Sequence, residues 1–92
     1  MGVYVSLMVN RNPLDASVIE RHVAYLKRLD QEGSLILCGP FIDEPGGMVV
    51  FSAGSMDEAK KIAQNDPFIH EGYKTHTLRT MEIADASNDY LL

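Results

Sequence analysis

Hydrophobic and polar residues alternate along the first part of the chain. In the stretch VYVSLMV, residues 3–9, every second position is apolar and the alternate set is partly apolar as well. A period of two is typical of a β-strand with side chains on both faces. Residues 10–13 break the pattern, and apolar residues then recur at helical spacing over about residues 15–32. Because Gly33 follows, at a position where helices commonly end, we predict a strand and then a long amphipathic helix.

The middle of the chain contains two short strand-like runs. SLILCGPF, residues 34–41, and MVVFSA, residues 48–53, are rich in apolar residues, and DEPGG separates them at residues 43–47. Because Asp, Pro and Gly are turn formers, the two runs are predicted to pair as an antiparallel hairpin. The pattern does not indicate their register.

A second helix and a last strand complete the pattern. Ser55 and Glu58 have the spacing of a capping box, and the helical pattern that follows cannot continue past Pro67. After one more short turn, residues 74–83 alternate as a strand. The predicted order is βαββαβ, so the fold class is α+β: a ferredoxin-like unit with a four-stranded, mostly antiparallel sheet and two helices on one face.

Length and composition define the class of protein. A chain of 92 residues that is 46% hydrophobic fits one domain, predicted to span residues 1–92 with a core over about 3–83 and a C-terminal tail at 84–92. No apolar run is long enough to span a bilayer, and no signal peptide is evident. The formal net charge of −5 argues against nucleic acid as a partner. We expect a soluble, cytoplasmic protein without nucleic-acid or membrane partners.

The second face of the predicted sheet needs a cover. Both alternating sets of the strands at residues 3–9 and 48–53 contain apolar or aromatic side chains, although two helices would cover only one face. A large exposed apolar face is unfavourable in water. We therefore predict a homodimer, or a higher homo-oligomer, that packs sheet to sheet.

His22 interrupts the apolar stripe of the first predicted helix. Val18 and Ile19 lie one turn before it, and Tyr25 and Leu26 lie one turn after it, so the imidazole should point toward the sheet. One interpretation is a core histidine that donates to a backbone carbonyl. The other is an imidazole placed to meet a ligand and to transfer a proton.

Asp66 continues the inward face of the second predicted helix. It follows Ile62 by four residues and precedes Pro67, so it could simply cap the turn that comes next. Both helices pack on one sheet face, however, so Asp66 could also reach His22. A carboxylate that accepts a hydrogen bond from one imidazole nitrogen fixes the tautomer and strengthens the other nitrogen as a base. The pair is therefore a candidate general acid–base dyad.

Other chemistries find little support. The single cysteine, Cys38, excludes an internal disulfide and is predicted to be buried and unreactive. His70 and His76 flank Gly72 and are predicted to be exposed, and no histidine or cysteine spacing indicates a metal site. No phosphate-binding glycine motif occurs. We expect neither a metal nor a cofactor.

A series of short motifs resembles the YciI-like proteins. They are H-x-x-Y-L-x-x-L at residues 22–29, G-x-L at 33–35, G-P-F at 39–41, G-G at 46–47, S-x-x-E-A at 55–59, D-P-F at 66–68, and Gly72. The order and spacing of these motifs carry the resemblance, which covers about residues 3–83.

The resemblance implies a ferredoxin-like fold that dimerises into an α/β barrel, related to muconolactone-isomerase-type proteins. It also implies an active site built on a histidine and an aspartate, which correspond to His22 and Asp66. At least one relative is a dehydrochlorinase that acts on a chlorinated hydroxyhydroquinone. The loop before the third strand is compact here, so the resemblance does not extend to a lid formed by a longer insertion.

We therefore expect a cofactor-independent lyase or isomerase in which His22 moves a proton on a small cyclic or phenolic substrate and Asp66 orients the imidazole. The candidate substrate-binding residues are Tyr4, Ser6, Tyr25, Gly39, Pro40, Phe41 and Phe51. Two alternatives remain open: a non-catalytic small-molecule-binding or accessory module, and, by fold analogy alone, a cofactor-independent monooxygenase.

Overall fold

The computed structural model describes residues 1–92. Its elements in chain order are β1 (Gly2–Asn10), α1 (Ala16–Gln31), β2 (Leu35–Pro40), β3 (Gly47–Ala53), α2 (Met56–Gln64), α3 (Pro67–His70), β4 (Lys74–Met81) and a terminal 3-10 helix (Ala86–Leu91). The four strands form one sheet in the order β2-β3-β1-β4, and every neighbouring pair is antiparallel. The ferredoxin-like α+β fold is confirmed. The sheet is wholly antiparallel, and the last strand ends two residues earlier than predicted.

Local sequence explains where α1 begins and ends. Asp15 caps its first turn, because a carboxylate oxygen of Asp15 accepts a hydrogen bond from the Val18 backbone N–H at 2.8 Å. Gly33 follows the helix with a φ of 78°, the left-handed conformation that favours glycine. The helix therefore spans the predicted residues and points its apolar stripe at the sheet.

The start of α2 differs in detail from a capping box. The Ser55 hydroxyl accepts from the Glu58 N–H at 3.2 Å, as predicted. The Glu58 carboxylate accepts instead from the N–H of Gly54, at 3.3 Å. The reciprocal bond therefore forms one residue before the cap.

The β2–β3 hairpin contains a bulge near its start. Leu35 pairs with Phe51, and Leu37 pairs with the adjacent Val50, so one residue of β2 is left over between them. Side chains alternate between the faces of a sheet, and the additional residue exchanges the two sets. As a result, Cys38 pairs with Val49 and faces the side that the helices cover.

The hydrophobic core lies between the helices and the covered sheet face. Its buried members are Tyr4, Met8, Val18, Tyr25, Leu29, Val49, Phe51, Ala53, Ala59, Ala63 and Phe68. The tail after β4 is exposed throughout. No helix has both the length and the apolar character that a membrane crossing requires.

The opposite side of the sheet has no cover within the chain. The strand register places Val3, Val5, Leu7, Val9, Leu37, Val50 and Met81 on this side, which we call the open sheet face. Leu7 and Val9 are 43% and 56% exposed, and Leu37 is 54% exposed. Val50 is only 3% exposed, but the chain alone leaves several other apolar side chains of this face in contact with water.

Candidate functional site

His22 and Asp66 form a direct hydrogen bond. The Nδ1 atom of His22 lies 2.8 Å from Oδ1 of Asp66, and the two side chains are only 12% and 3% exposed. Because a carboxylate accepts, Nδ1 carries the proton in the neutral ring and Nε2 carries the lone pair. Nε2 has no hydrogen-bond partner in the protein and is not sealed from solvent. The geometry therefore supports the contact that the dyad hypothesis requires.

The backbone of α3 fixes the position of Asp66. The same Oδ1 atom accepts a hydrogen bond from the Phe68 N–H at 2.9 Å, and Pro67 occupies the first turn of this short helix. Asp66 therefore caps α3 and bonds to His22 with one oxygen. The two sequence interpretations of Asp66 are both present in the structure.

Phe68 and a surface ion pair hold the imidazole against α3. The His22 ring stacks on the Phe68 ring with a centroid distance of 3.8 Å and an interplanar angle of 13°. Arg21, the residue before His22, donates to both carboxylate oxygens of Glu71 just after α3, at 3.1 and 2.6 Å. Exposed ion pairs contribute little stability, but a bidentate pair restricts how the two helices move relative to each other.

The His22 ring lines a cavity of about 450 Å³ between α1 and the β2–β3 hairpin. Most of its wall is apolar, and its polar groups include the His22 imidazole and the Lys74 side chain. Pockets of this size and character commonly bind small molecules. Gly39 and Pro40, both predicted to contact substrate, form part of the wall.

The other predicted substrate-binding residues lie elsewhere. Tyr4 and Phe51 are 5% and 0% exposed and pack together in the core, with ring centroids 6.2 Å apart. Tyr25 is also buried; its hydroxyl donates to the Ile62 carbonyl at 2.8 Å, and its ring borders a separate polar groove between α1 and α2. These positions correct the expectation that the three rings line the cavity.

Ser6 and Phe41 also lie outside the cavity wall. Ser6 is buried on the covered face, with its hydroxyl 3.1 Å from Nδ1 of His76. Phe41 begins the hairpin loop, where its N–H donates to the Gly46 carbonyl at 2.9 Å. Neither residue belongs to the lining.

Three chemically interesting residues escaped the sequence reasoning. Lys74 is only 7% exposed, and His76 is partly buried rather than exposed as predicted. Cys38 was expected to be buried, yet it is exposed and contributes to the cavity wall. A signal existed for two of them, because Lys74 and His76 alternate in phase with the apolar Leu78 and so share its face of β4.

The charge of Asp66 influences the protonation of Lys74 and of His76. Burial lowers the pKa of Lys74 and of His76 below their ordinary values, and the charge of Asp66 acts in the opposite direction on both. Burial also raises the pKa of the Tyr25 hydroxyl, and Asp66 adds to that effect. No three histidine, cysteine or acidic side chains lie close enough together to hold a metal ion.

The fold and the site together define a small ferredoxin-like α+β protein with an imidazole–carboxylate pair beside an apolar cavity. The model of the YCII-related domain matches residues 3–81. The chain therefore belongs to the family of proteins with a YCII-related domain, which confirms the resemblance drawn from the sequence motifs.

Relatives and solved structures agree with this assignment. The uncharacterised protein YjpA of Bacillus subtilis (strain 168) is 30% identical over 83 residues, which cover 90% of this chain and 98% of that protein. A 5-chloro-2-hydroxyhydroquinone dehydrochlorinase from Burkholderia phenoliruptrix AC1100, solved in complex with 2,5-dihydroxybenzoquinone, superposes with a TM-score of 0.68 at 21% identity, covering 95% of this chain and 99% of that one. A muconolactone isomerase superposes with a TM-score of 0.67 at 13% identity, covering 90% and 88% of the two chains. At these identities the structural likeness establishes the fold.

Proposed function

We propose that the protein is a cofactor-independent lyase or isomerase that uses His22 as its general acid–base and Asp66 as the group that orients the imidazole. The substrate is a small cyclic or phenolic molecule. The observation that carries the proposal is the 2.8 Å contact between Nδ1 of His22 and Asp66, on an imidazole that lines a cavity and has a free Nε2.

Proton transfer follows from this arrangement. Nε2 of His22 accepts a proton from a C–H or O–H group of the substrate, and Asp66 stabilises the imidazolium that forms. In an isomerisation, the imidazolium returns the proton to another atom of the substrate. In an elimination, the electron pair of the broken C–H bond forms a double bond as a leaving group departs with its own bonding pair. Neither reaction changes the oxidation state of the protein.

The solved structures with the same fold support the reaction class. One is a dehydrochlorinase and the other an isomerase; an isomerisation can proceed by proton transfer, and a dehydrochlorination by proton removal with departure of chloride, so neither needs a redox cofactor. The cavity in this chain is apolar enough to accept a ring and holds few polar groups to orient it. A non-catalytic binding module would need the cavity but not a desolvated imidazole–carboxylate pair.

The proposal is tested with a panel of probe compounds. The purified protein is incubated with 5-chloro-2-hydroxyhydroquinone and with muconolactone, and chloride release and ultraviolet absorbance are followed. We expect catalysed conversion of at least one class of compound. Binding of 2,5-dihydroxybenzoquinone is measured in parallel by NMR, with resonances of His22, Gly39 and Lys74 expected to shift. If a compound binds at this cavity and none is converted, the result would contradict the proposed enzymatic activity and favour the non-catalytic binding or accessory module.

The open sheet face supports a homodimer as the assembled form. Its exposed apolar side chains, Leu7, Val9 and Leu37 among them, would be removed from water if two sheets packed together. The His22 cavity is on the opposite side of the sheet, so this contact would leave it free.

Substitution of Leu7 with glutamate is expected to convert the dimer to a monomer, because a charge at the centre of the contact would be buried without a partner. Size-exclusion chromatography with light scattering measures the mass. Ile42→Glu is the matched control, since Ile42 is fully exposed in the hairpin loop and should leave the dimer intact. A wild-type protein that is monomeric at micromolar concentration would contradict the assembly.

A further inference from the structure

Lys74 combines burial with the absence of a partner. Its side chain lies at the start of β4 on the helix-covered face and is only 7% exposed. The ammonium makes no ion pair and no hydrogen bond with the protein, and its only specific contact is the face of the Phe68 ring, with Nζ 4.5 Å from the centroid. Nζ itself is not sealed from solvent, but most of the side chain is enclosed, and ammonium groups in such poorly solvated positions are ordinarily paired because desolvation is costly.

The surroundings of Lys74 do not supply the missing anion. Asp66 is the acidic side chain that acts on it, yet Oδ1 of Asp66 is already occupied by His22 and by the Phe68 N–H. Burial accordingly lowers the pKa of Lys74, and Asp66 offsets only part of that effect. The proposed dimer contact lies across the sheet and cannot reach this face either.

Lys74 lines the same cavity as His22. An apolar pocket that holds one unpaired cation and one proton-transfer group has the polarity to bind a ring with a negatively charged oxygen. Removal of a proton from such a ring by His22 also creates negative charge on the substrate. A fixed ammonium in a poorly solvated site stabilises that charge more strongly than water does.

We propose that Lys74 is the anion-binding residue of this cavity, and that the substrate class is small cyclic compounds with an anionic oxygen, either a carboxylate or an ionised phenol or enol. The catalytic part of this inference rests on the proposed function, whereas the binding part does not. Lys74 would pair with the oxygen that is charged before or during the reaction, while His22 holds the proton.

Matched ligands test the binding part. Affinities of the wild-type protein are measured by calorimetry for 3,4-dihydroxybenzoate and for its neutral amide, 3,4-dihydroxybenzamide. A charge-assisted hydrogen bond should favour the acid about tenfold or more. 4-Nitrocatechol tests the other class of anionic oxygen, the ionised phenol, because its absorbance shows whether the bound phenol is ionised. Preference for the acid indicates a carboxylate ligand, and a bound nitrophenolate indicates an ionised phenol; either result supports the proposal.

Variants assign the effect to Lys74. Lys74→Met should lose the preference for the acid and for the nitrophenolate, whereas Lys60→Met, on the exposed side of α2, should retain it. The Lys74→Met protein should have an unchanged or higher melting temperature, since methionine keeps the apolar stem and removes an unpaired, partly desolvated charge, so lost binding would not reflect unfolding. Equal affinity for acid and amide, unchanged binding by Lys74→Met, or no binding of any anion at millimolar concentration would overturn the proposal.

His22→Gln separates the two hypotheses. If the anion site exists but the protein is not an enzyme, anions bind through Lys74 and no probe compound is converted by any variant. If the enzyme exists without this anion site, conversion depends on His22 and is insensitive to Lys74→Met. If both hold, His22→Gln retains anion binding and loses conversion.

Discussion

Replacement of His22 with glutamine is expected to lower kcat/KM by about 10² to 10⁴ for a substrate that the protein converts, which is the usual contribution of general acid–base catalysis. Glutamine has similar volume and can still donate a hydrogen bond to Asp66, but it cannot exchange a proton in the working pH range. The loss should therefore appear in kcat, with little change in KM.

The control for this variant is His70→Gln. His70 lies at the end of α3, close along the chain to Asp66, but its side chain is 56% exposed and outside the His22 cavity. It should retain full activity. A folded His22→Gln protein whose activity stays within a few-fold of wild type would refute the catalytic role of His22.

Asp66→Asn extends the same experiment to the orienting group. Asparagine can still accept from the Phe68 N–H and so preserve the cap of α3. The same oxygen can also still accept from Nδ1 of His22, but asparagine has no negative charge with which to stabilise an imidazolium. We expect a loss of kcat in a protein that remains folded, whereas a purely structural role for Asp66 would leave kcat unchanged.

Truncation of Phe51 to alanine is expected to lower the free energy of unfolding by about 3–5 kcal/mol, the range for large aromatic residues in packed cores. Phe51 is fully buried on β3, one of the two central strands, and its ring packs against Tyr4. Because proteins of this size have a total stability of about 5–15 kcal/mol, this variant would lose a large share of its folding free energy. Urea denaturation followed by circular dichroism measures the change.

A milder substitution distinguishes a core role from a substrate-binding role. Phe51→Leu should lower stability by a smaller amount and leave the affinity for 2,5-dihydroxybenzoquinone unchanged, because the ring does not line the cavity. Pro40→Ala, in the cavity wall, is the comparison variant for affinity. If the Phe51→Leu protein has near-wild-type stability but binds the ligand more weakly, the result would indicate that Phe51 has a substrate-binding role.

The helical parts of the site were predictable because their signals are local. The position of His22 follows from its spacing to Val18 and Tyr25 within one helix, and Asp66 is identified by the Pro67 that follows it. The antiparallel hairpin followed in the same way from its turn residues. That the two side chains meet was a hypothesis from shared helix packing and from the family resemblance, and the structure provides the distance.

The strand residues of the site were harder to predict because their faces depend on long-range pairing. Tyr4 and Phe51 lie in strands whose two alternating sets are both apolar, so the pattern did not tell which set the helices cover. Lys74 and His76 lie in a strand with polar residues on both sides, so their phase with the apolar Leu78 was the one local signal, and pairing with β1 places them inside. The place of Cys38 in the cavity wall depends on the bulge in β2, for which the sequence gives no local signal.

That bulge makes the cavity wall independent of a one-residue change in the length of β2. Deletion of Ile36 would restore regular pairing, but Leu37 and Cys38 would keep their partners Val50 and Val49 and therefore their faces, so the thiol would stay in the pocket wall. Family members that lack this one residue would present the same side chains of β2 to a ligand beside the His22–Asp66 pair. Loss of a residue at the bulge therefore leaves ligand recognition intact, whereas a substitution of Cys38 changes the cavity wall directly.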